Sequence, residues 1–134
     1  MKPRQCNPLW SGLLVCALML GVSGAARGET GLSDPQSSQT IEVAGARAHF
    51  AQEFCGFSPD NVASYRATLK KAFATVEDFD ERWQTGWQQE EKGAIPMRAL
   101  RLSDPADFAA RLKGDCSRVK WQADNLLRTH PVAP

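Results

Sequence analysis

The chain has 134 residues, and its 16 basic and 15 acidic side chains give a formal net charge of +1 at pH 7. This length has room for a single domain. Because the sequence has neither a basic block nor an acidic tail, it lacks the electrostatic signature of a nucleic-acid-binding protein and of a protein held on a membrane by basic residues.

The first 26 residues have the three parts of a secretory signal peptide. Lys2 and Arg4 give a positive start, residues 9–22 form an apolar stretch, and small residues follow it. The stretch is shorter than the ~20 residues that a helix needs to span a bilayer, which favours a cleaved signal over a membrane anchor. Cleavage near Ala25 or Ala26 is predicted, and both sites stay open. We expect a periplasmic or secreted protein whose mature chain has no stable membrane insertion.

Removal of this leader leaves two of the four cysteines, Cys55 and Cys116. An exported protein folds in an oxidising compartment, where two remaining cysteines have only each other as partners. We therefore predict a Cys55–Cys116 disulfide. It closes a loop of roughly 60 residues, which the chain-entropy relation values at about 4 kcal/mol of stability.

The domain itself is predicted to begin after a polar segment. Residues 27–38 are rich in Gly, Ser and Pro, which is typical of a flexible spacer. A single helical domain is expected over 39–130, followed by a mobile tail at 131–134. Its first helix is predicted from about Thr40 to Cys55, where alanines three and four residues apart form a face that another helix can approach closely.

Two further helices are predicted in the middle of the chain. A Ser-Pro pair begins the first, over 58–74, whose apolar residues recur every three or four positions. The second, over 76–91, places Trp83 and Trp87 one turn apart on its apolar stripe, where we interpret them as core residues. Whether 58–74 and 76–91 form one bent helix stays open, because no strong breaker separates them.

The last helix is predicted to be the longest. The preceding segment, 97–102, is interpreted as a loop or a single turn. Ser103-Asp104-Pro105 is a strong helix start, and the apolar pattern continues to about Arg128, with Cys116 on its stripe. The predicted fold is therefore all-α: three to four antiparallel helices joined by short turns and stapled by one disulfide.

His49 and Glu53 are four residues apart on the first helix, so both side chains could face one ligand. A metal site needs more donors than this pair, and no cysteine is free to join it. A polar pair on the surface is the expected role. No metal, cofactor or catalytic residue is predicted.

Four carboxylates at the start of the third helix could supply paired groups for acid–base hydrolysis of an envelope polymer. They are Glu77, Asp78, Asp80 and Glu81. Acidic residues also stabilise the positive end of a helix dipole, and this structural role is favoured. The hydrolase therefore remains an alternative, and the sequence leans against an enzyme.

Trp121 lies off the apolar stripe of the last helix, with Arg118 three residues before it and Asn125 four residues after it. Tryptophan is enriched at the centres of protein interfaces, so this face could bind a partner or simply cover an edge of the bundle. The leading hypothesis is a non-catalytic exported protein that binds another envelope or secreted protein. A carrier that holds a small apolar molecule among the bundle aromatics is a further alternative, and it predicts an internal cavity.

Overall fold

The computed structural model describes residues 34–133, and most of this range is helical. In chain order the helices are α1 Pro35–Phe54, α2 Pro59–Ala72, α3 Phe79–Gly93, α4 Ile95–Ser103 and α5 Pro105–Thr129. No strand occurs in this part of the chain, which confirms the all-α prediction. Within the same residues, no helix combines the length and the apolarity needed to cross a bilayer.

Helix α1 begins earlier than predicted. Asp34 caps it, and its carboxylate accepts hydrogen bonds from two backbone N–H groups of the first turn. Pro35 follows in that turn. Proline has no backbone N–H, but the N–H groups of a first turn have no acceptor within the helix, so no hydrogen bond is lost. The spacer predicted over 27–38 was therefore wrong at 35–38, because these residues are helical. Residues 27–33, like the predicted signal peptide and its cleavage site, lie outside the described part of the chain.

The structure separates α2 from α3, a point that the sequence left open. Ser58 begins α2 with a reciprocal capping box, in which Ser58 and Asn61 each bond the backbone N–H of the other. Residues 73–78 then connect the two helices. Phe73 and Val76 in this connection are 5% and 7% exposed, so their burial anchors the turn on the core.

The segment 97–102, predicted as a loop or a single turn, belongs to helix α4. Pro96 lies in the first turn of α4, where proline is compatible with a helix. Met97 and Leu100 are half-buried on one face of this helix. Ile95 and Leu102 are 60% and 83% exposed on another.

Helices α1 and α3 form the closest helix pair. A Cβ atom added at Gly45 would lie 2.3 Å from the carbonyl oxygen of Trp83, and one added at Gly86 would lie 1.7 Å from that of Glu42. Glu42 of α1 contacts Arg82 of α3, and the later residue His49 contacts the later residue Trp87. Because residue numbers rise in the same direction on both helices, α1 and α3 are parallel. Only glycine allows two backbones to approach this closely.

The core lies mainly between α1, α2 and α3. Trp83 is 2% exposed and belongs to it, and Trp87 packs against it, so the predicted aromatic stripe is confirmed. Tyr65 of α2 contacts Trp83 of α3, whereas the later residue Lys70 contacts the earlier residue Asp80. Helices α2 and α3 are therefore antiparallel. Buried members of the core are Ile41, Ala44, Ala48, Val62, Leu69, Phe73, Val76, Phe79 and Trp83.

The predicted disulfide is confirmed. The sulfur atoms of Cys55 and Cys116 are 2.08 Å apart, and the bond joins the C-terminal end of α1 to the middle of α5. Beside it, the rings of Phe54 and Phe108 lie 6.0 Å apart edge to face. Helix α5 is therefore held to α1 by a covalent bond and an adjacent aromatic contact.

Candidate functional site

A groove of about 430 Å³ lies between α1, α2 and α5, and we call it the apolar groove. Its floor is formed by Ala48 and Ala51 of α1, Val62 of α2 and Val119 of α5, each at most 8% exposed. The two alanines leave space because their side chains end at Cβ. The alanine face predicted to receive another helix therefore forms the floor of a groove along part of its length.

Charged side chains line the groove as well, and they come from two helices. Lys120 and Asp124 of α5 neutralise each other, with 2.9 Å between Nζ and Oδ2. Arg47 of α1 is half-buried and makes no hydrogen bond or ion pair with any other residue in 34–133. Arg47 is thus the charged residue of this lining that has no ion-pair partner among the described residues.

Tyr65 of α2 adds a polar group to the same lining. The pKa of the Tyr65 phenol is raised to about 12, mainly by burial. The positive charge of Arg47 lowers this pKa, and the negative charge of Asp124 raises it further. The phenol therefore stays protonated at neutral pH and can donate a hydrogen bond. Its hydroxyl has no hydrogen-bond partner within the described residues.

This combination of features is the usual one for a small-molecule site. Such sites typically measure roughly 300–1,000 Å³, are mostly apolar, and carry a small number of polar groups that orient the ligand. The apolar groove has the size, an apolar floor and the donors of Arg47 and Tyr65. It can bury an apolar molecule and hydrogen-bond one polar end of it.

A second, more polar groove of about 540 Å³ lies between α1, α3 and α5. Phe50 and Val43 give it apolar contacts, and Glu90 and Arg118 line it with charge. Burial and the nearby charge of Glu53 raise the pKa of the Glu90 carboxyl. The predicted partner-binding residue Arg118 thus faces this groove.

The structure places the three residues predicted to bind a partner on one helix surface. Trp121 is 60% exposed and lines neither groove. Arg118 donates a 2.6 Å hydrogen bond to Asp115, and Asn125 accepts one from Arg128. Both polar neighbours of Trp121 therefore already have partners on α5, and a role in binding stays a prediction.

The carboxylates at the start of α3 bind basic side chains and tie helices together. Asp80 contacts Lys70 and Arg66 of α2, and these hydrogen bonds, that of Lys70 foremost, lower the pKa of Asp80. Arg82 bonds Asp78 at 2.7 Å and Glu42 of α1 at 2.8 Å. Glu77 and Glu81 are exposed. For Asp80, this arrangement favours an ionised, structural carboxylate over the acid that a hydrolase needs.

The expected surface position of His49 and Glu53 was wrong. His49 is 9% exposed and packs edge to face on Trp87, with 4.7 Å between ring centroids. Glu53 accepts two hydrogen bonds from the Arg98 guanidinium of α4, one at 2.7 Å, and this contact lowers its pKa. The pair was misplaced because the helix pattern alone does not show that α3 and α4 cover this face.

No cluster of three or more His, Cys, Asp or Glu side chains in 34–133 could hold a metal ion. The chain matches no protein-family model, no curated protein and no solved structure. Sequence reasoning missed the apolar groove, although the alanines at 48 and 51 were a signal of unfilled space on α1.

Proposed function

We propose that the protein is a non-catalytic carrier that binds a small apolar molecule in the apolar groove. The observation that supports this is the volume of about 430 Å³ over a floor of buried alanine and valine side chains. Transfer of a methylene group from water to such a surface contributes about 0.8 kcal/mol. A chain of several methylenes therefore supplies enough free energy for specific binding.

A series of linear alcohols of increasing length tests this function. Each added methylene is expected to tighten the dissociation constant about fourfold, since about 1.4 kcal/mol corresponds to a factor of ten. Isothermal titration calorimetry on the full-length oxidised protein measures this slope. Affinities that do not depend on chain length would contradict the proposal.

Two matched substitutions on α2 locate the binding site. Ser64 and Ala67 are both exposed on this helix, but only Ser64 lines the apolar groove. We expect Ser64→Phe to fill the groove and weaken alcohol binding by about tenfold, since a bulky side chain then occupies the ligand volume. Ala67→Phe should leave the affinity unchanged, and equal effects of the two substitutions would place the ligand elsewhere.

The protein-binding function expected from the sequence is a second candidate, supported by the 60% exposure of Trp121. Trp121 is mostly exposed, so the melting temperature of Trp121→Ala should change little. If Trp121 anchors a partner, the variant loses the proteins that the wild-type chain captures from an envelope extract. Unchanged capture would exclude this role of Trp121.

Export is part of the proposal as well. It is supported by the leader pattern in the first 26 residues and by the Cys55–Cys116 bond, since disulfides persist in oxidising compartments. N-terminal sequencing of the protein recovered from a cell-envelope fraction tests it. A mature chain that begins after Ala25 or Ala26 is the expected result.

A further inference from the structure

We propose that the molecule held in the apolar groove is amphipathic and carries one anionic head group, of the kind found in a medium-chain carboxylate, which Arg47 and Tyr65 bind together. This inference rests on the proposed function, because it names the chemical class of the ligand of the same groove.

The charge around the groove selects the sign of the head group. Lys120 and Asp124 pair with each other at 2.9 Å, and the half-buried Arg47 guanidinium makes no ion pair with any of the described residues. A partly desolvated cation is stabilised by an opposite charge. The planar guanidinium fork also matches a carboxylate, which it can bond with two N–H groups at once.

Tyr65 supplies a second donor from a different helix. Arg47 belongs to α1 and Tyr65 to α2, and both line the groove. The charge of Arg47 acts on the Tyr65 phenol, so the two groups lie within electrostatic reach of each other. A carboxylate has enough lone pairs to accept from both residues, whereas an ammonium group offers only donors and repels Arg47.

Three ligands with the same chain length and different head groups test the inference: decanoate, 1-decanol and decylammonium. Calorimetry on the full oxidised chain at pH 7.5 should give decanoate an affinity about tenfold tighter than that of decanol, because hydrogen bonds to a charged group are the stronger ones. Decylammonium should bind most weakly. The preference for decanoate should shrink in high salt, where the charge on an exposed head group is screened.

Variants of the two donors assign the head-group contacts. We expect Arg47→Gln to abolish the preference for decanoate and to leave decanol binding within about twofold, since the glutamine keeps donors but no charge. Tyr65→Phe should weaken decanoate binding by a smaller factor. Arg111→Gln is the control, because Arg111 pairs with Asp107 on α5 and lines neither groove, so it removes the same charge at a distance.

The outcomes separate this inference from the function on which it rests. Equal binding of decanoate and decanol, unchanged in Arg47→Gln, overturns the head-group assignment while the carrier function stands. A preference for decanoate that falls equally in Arg47→Gln and Arg111→Gln also overturns it, since net charge then explains the effect. If none of the three ligands binds, both the carrier function and its head group are wrong.

Discussion

Two glutamates near the contact of α1, α3 and α4 have pKa values that move in opposite directions. Arg98 donates hydrogen bonds to Glu53 and holds its pKa below the ordinary range. Burial, and then the charge of Glu53, raise the pKa of Glu90. The difference arises because Glu53 has a basic partner and Glu90 lies partly buried beside a like charge.

Glu90→Gln is expected to raise the melting temperature at pH 7, since the amide removes a charge that folding disfavours. The folded-state pKa of Glu90 lies above its ordinary value of 4.5. The gain is therefore present above the raised pKa and disappears as the pH falls below 4.5, where Glu90 is neutral in both states. Thermal melts at pH 7 and pH 3.5 measure it. Exposed Glu77 is the control: Glu77→Gln should change little, and an equal gain from Glu90→Gln at both pH values would contradict this origin.

At the scale of the helices, two glycines decide how α1 and α3 pack. Gly45 and Gly86 each lie against backbone atoms of the other helix, at distances that no Cβ atom could occupy. Glycine is a poor helix former, so the sequence alone gives no reason for Gly45 inside α1. The role of Gly45 is to let α1 and α3 cross closely. This close packing offsets the ~1 kcal/mol by which glycine destabilises a helix interior relative to alanine.

Gly86→Ala should lower the melting temperature. The new Cβ would lie 1.7 Å from the Glu42 carbonyl oxygen, so the helices must separate. Overpacking of this kind costs about 1–3 kcal/mol, and about 1 kcal/mol moves a domain of this size by ~4–8 °C.

Gly114→Ala is the matched control for that substitution. Gly114 lies inside α5, and its Cβ would meet no atom within 4 Å. Because alanine is the better helix former, this variant should become more stable by up to about 1 kcal/mol. A rise in melting temperature for both variants would show that α1 and α3 do not cross at Gly86.

At the scale of the whole molecule, the disulfide is the main constraint on α5. Cys55 and Cys116 are 61 residues apart in sequence, and their Cα atoms lie 5.5 Å apart. Apart from Val119, which is 8% exposed, the apolar residues of α5 are partly buried or exposed. The bond therefore holds a helix that contributes less to the core than α1, α2 or α3.

Cys55→Ser should lower the melting temperature by more than about 10 °C. A loop of this length is worth about 4 kcal/mol in the chain-entropy relation, and about 1 kcal/mol corresponds to ~4–8 °C. Scanning calorimetry measures the shift, and the denatured wild-type mature protein should show no free thiol. Cys116→Ser and the double variant should match the single one. A loss of only a few degrees would show that the bond is dispensable.

Much of the fold could be predicted because its signals are local. Ser58 with Pro59, and Asp104 with Pro105, begin helices in the structure as the sequence predicts, since a cap acts on the backbone three residues away. The disulfide followed from the cysteine count. The predictions failed at 35–38, expected to be a spacer, and at 97–102, expected to be a loop or a single turn. In both places a proline lies in the first turn of a helix.

The candidate site depends on contacts between residues far apart in sequence. The sequence by itself determined the all-α class, most of the helices and the Cys55–Cys116 pairing, because periodicity, caps and a single possible partner are properties of short segments or of composition. Only the tertiary structure decided that Gly45 meets α3, that His49 is buried, and that Arg47 and Tyr65 line one groove. Those relations arise where three helices pack together, and a helix pattern shows which face is apolar but not which helix covers it or where a gap remains.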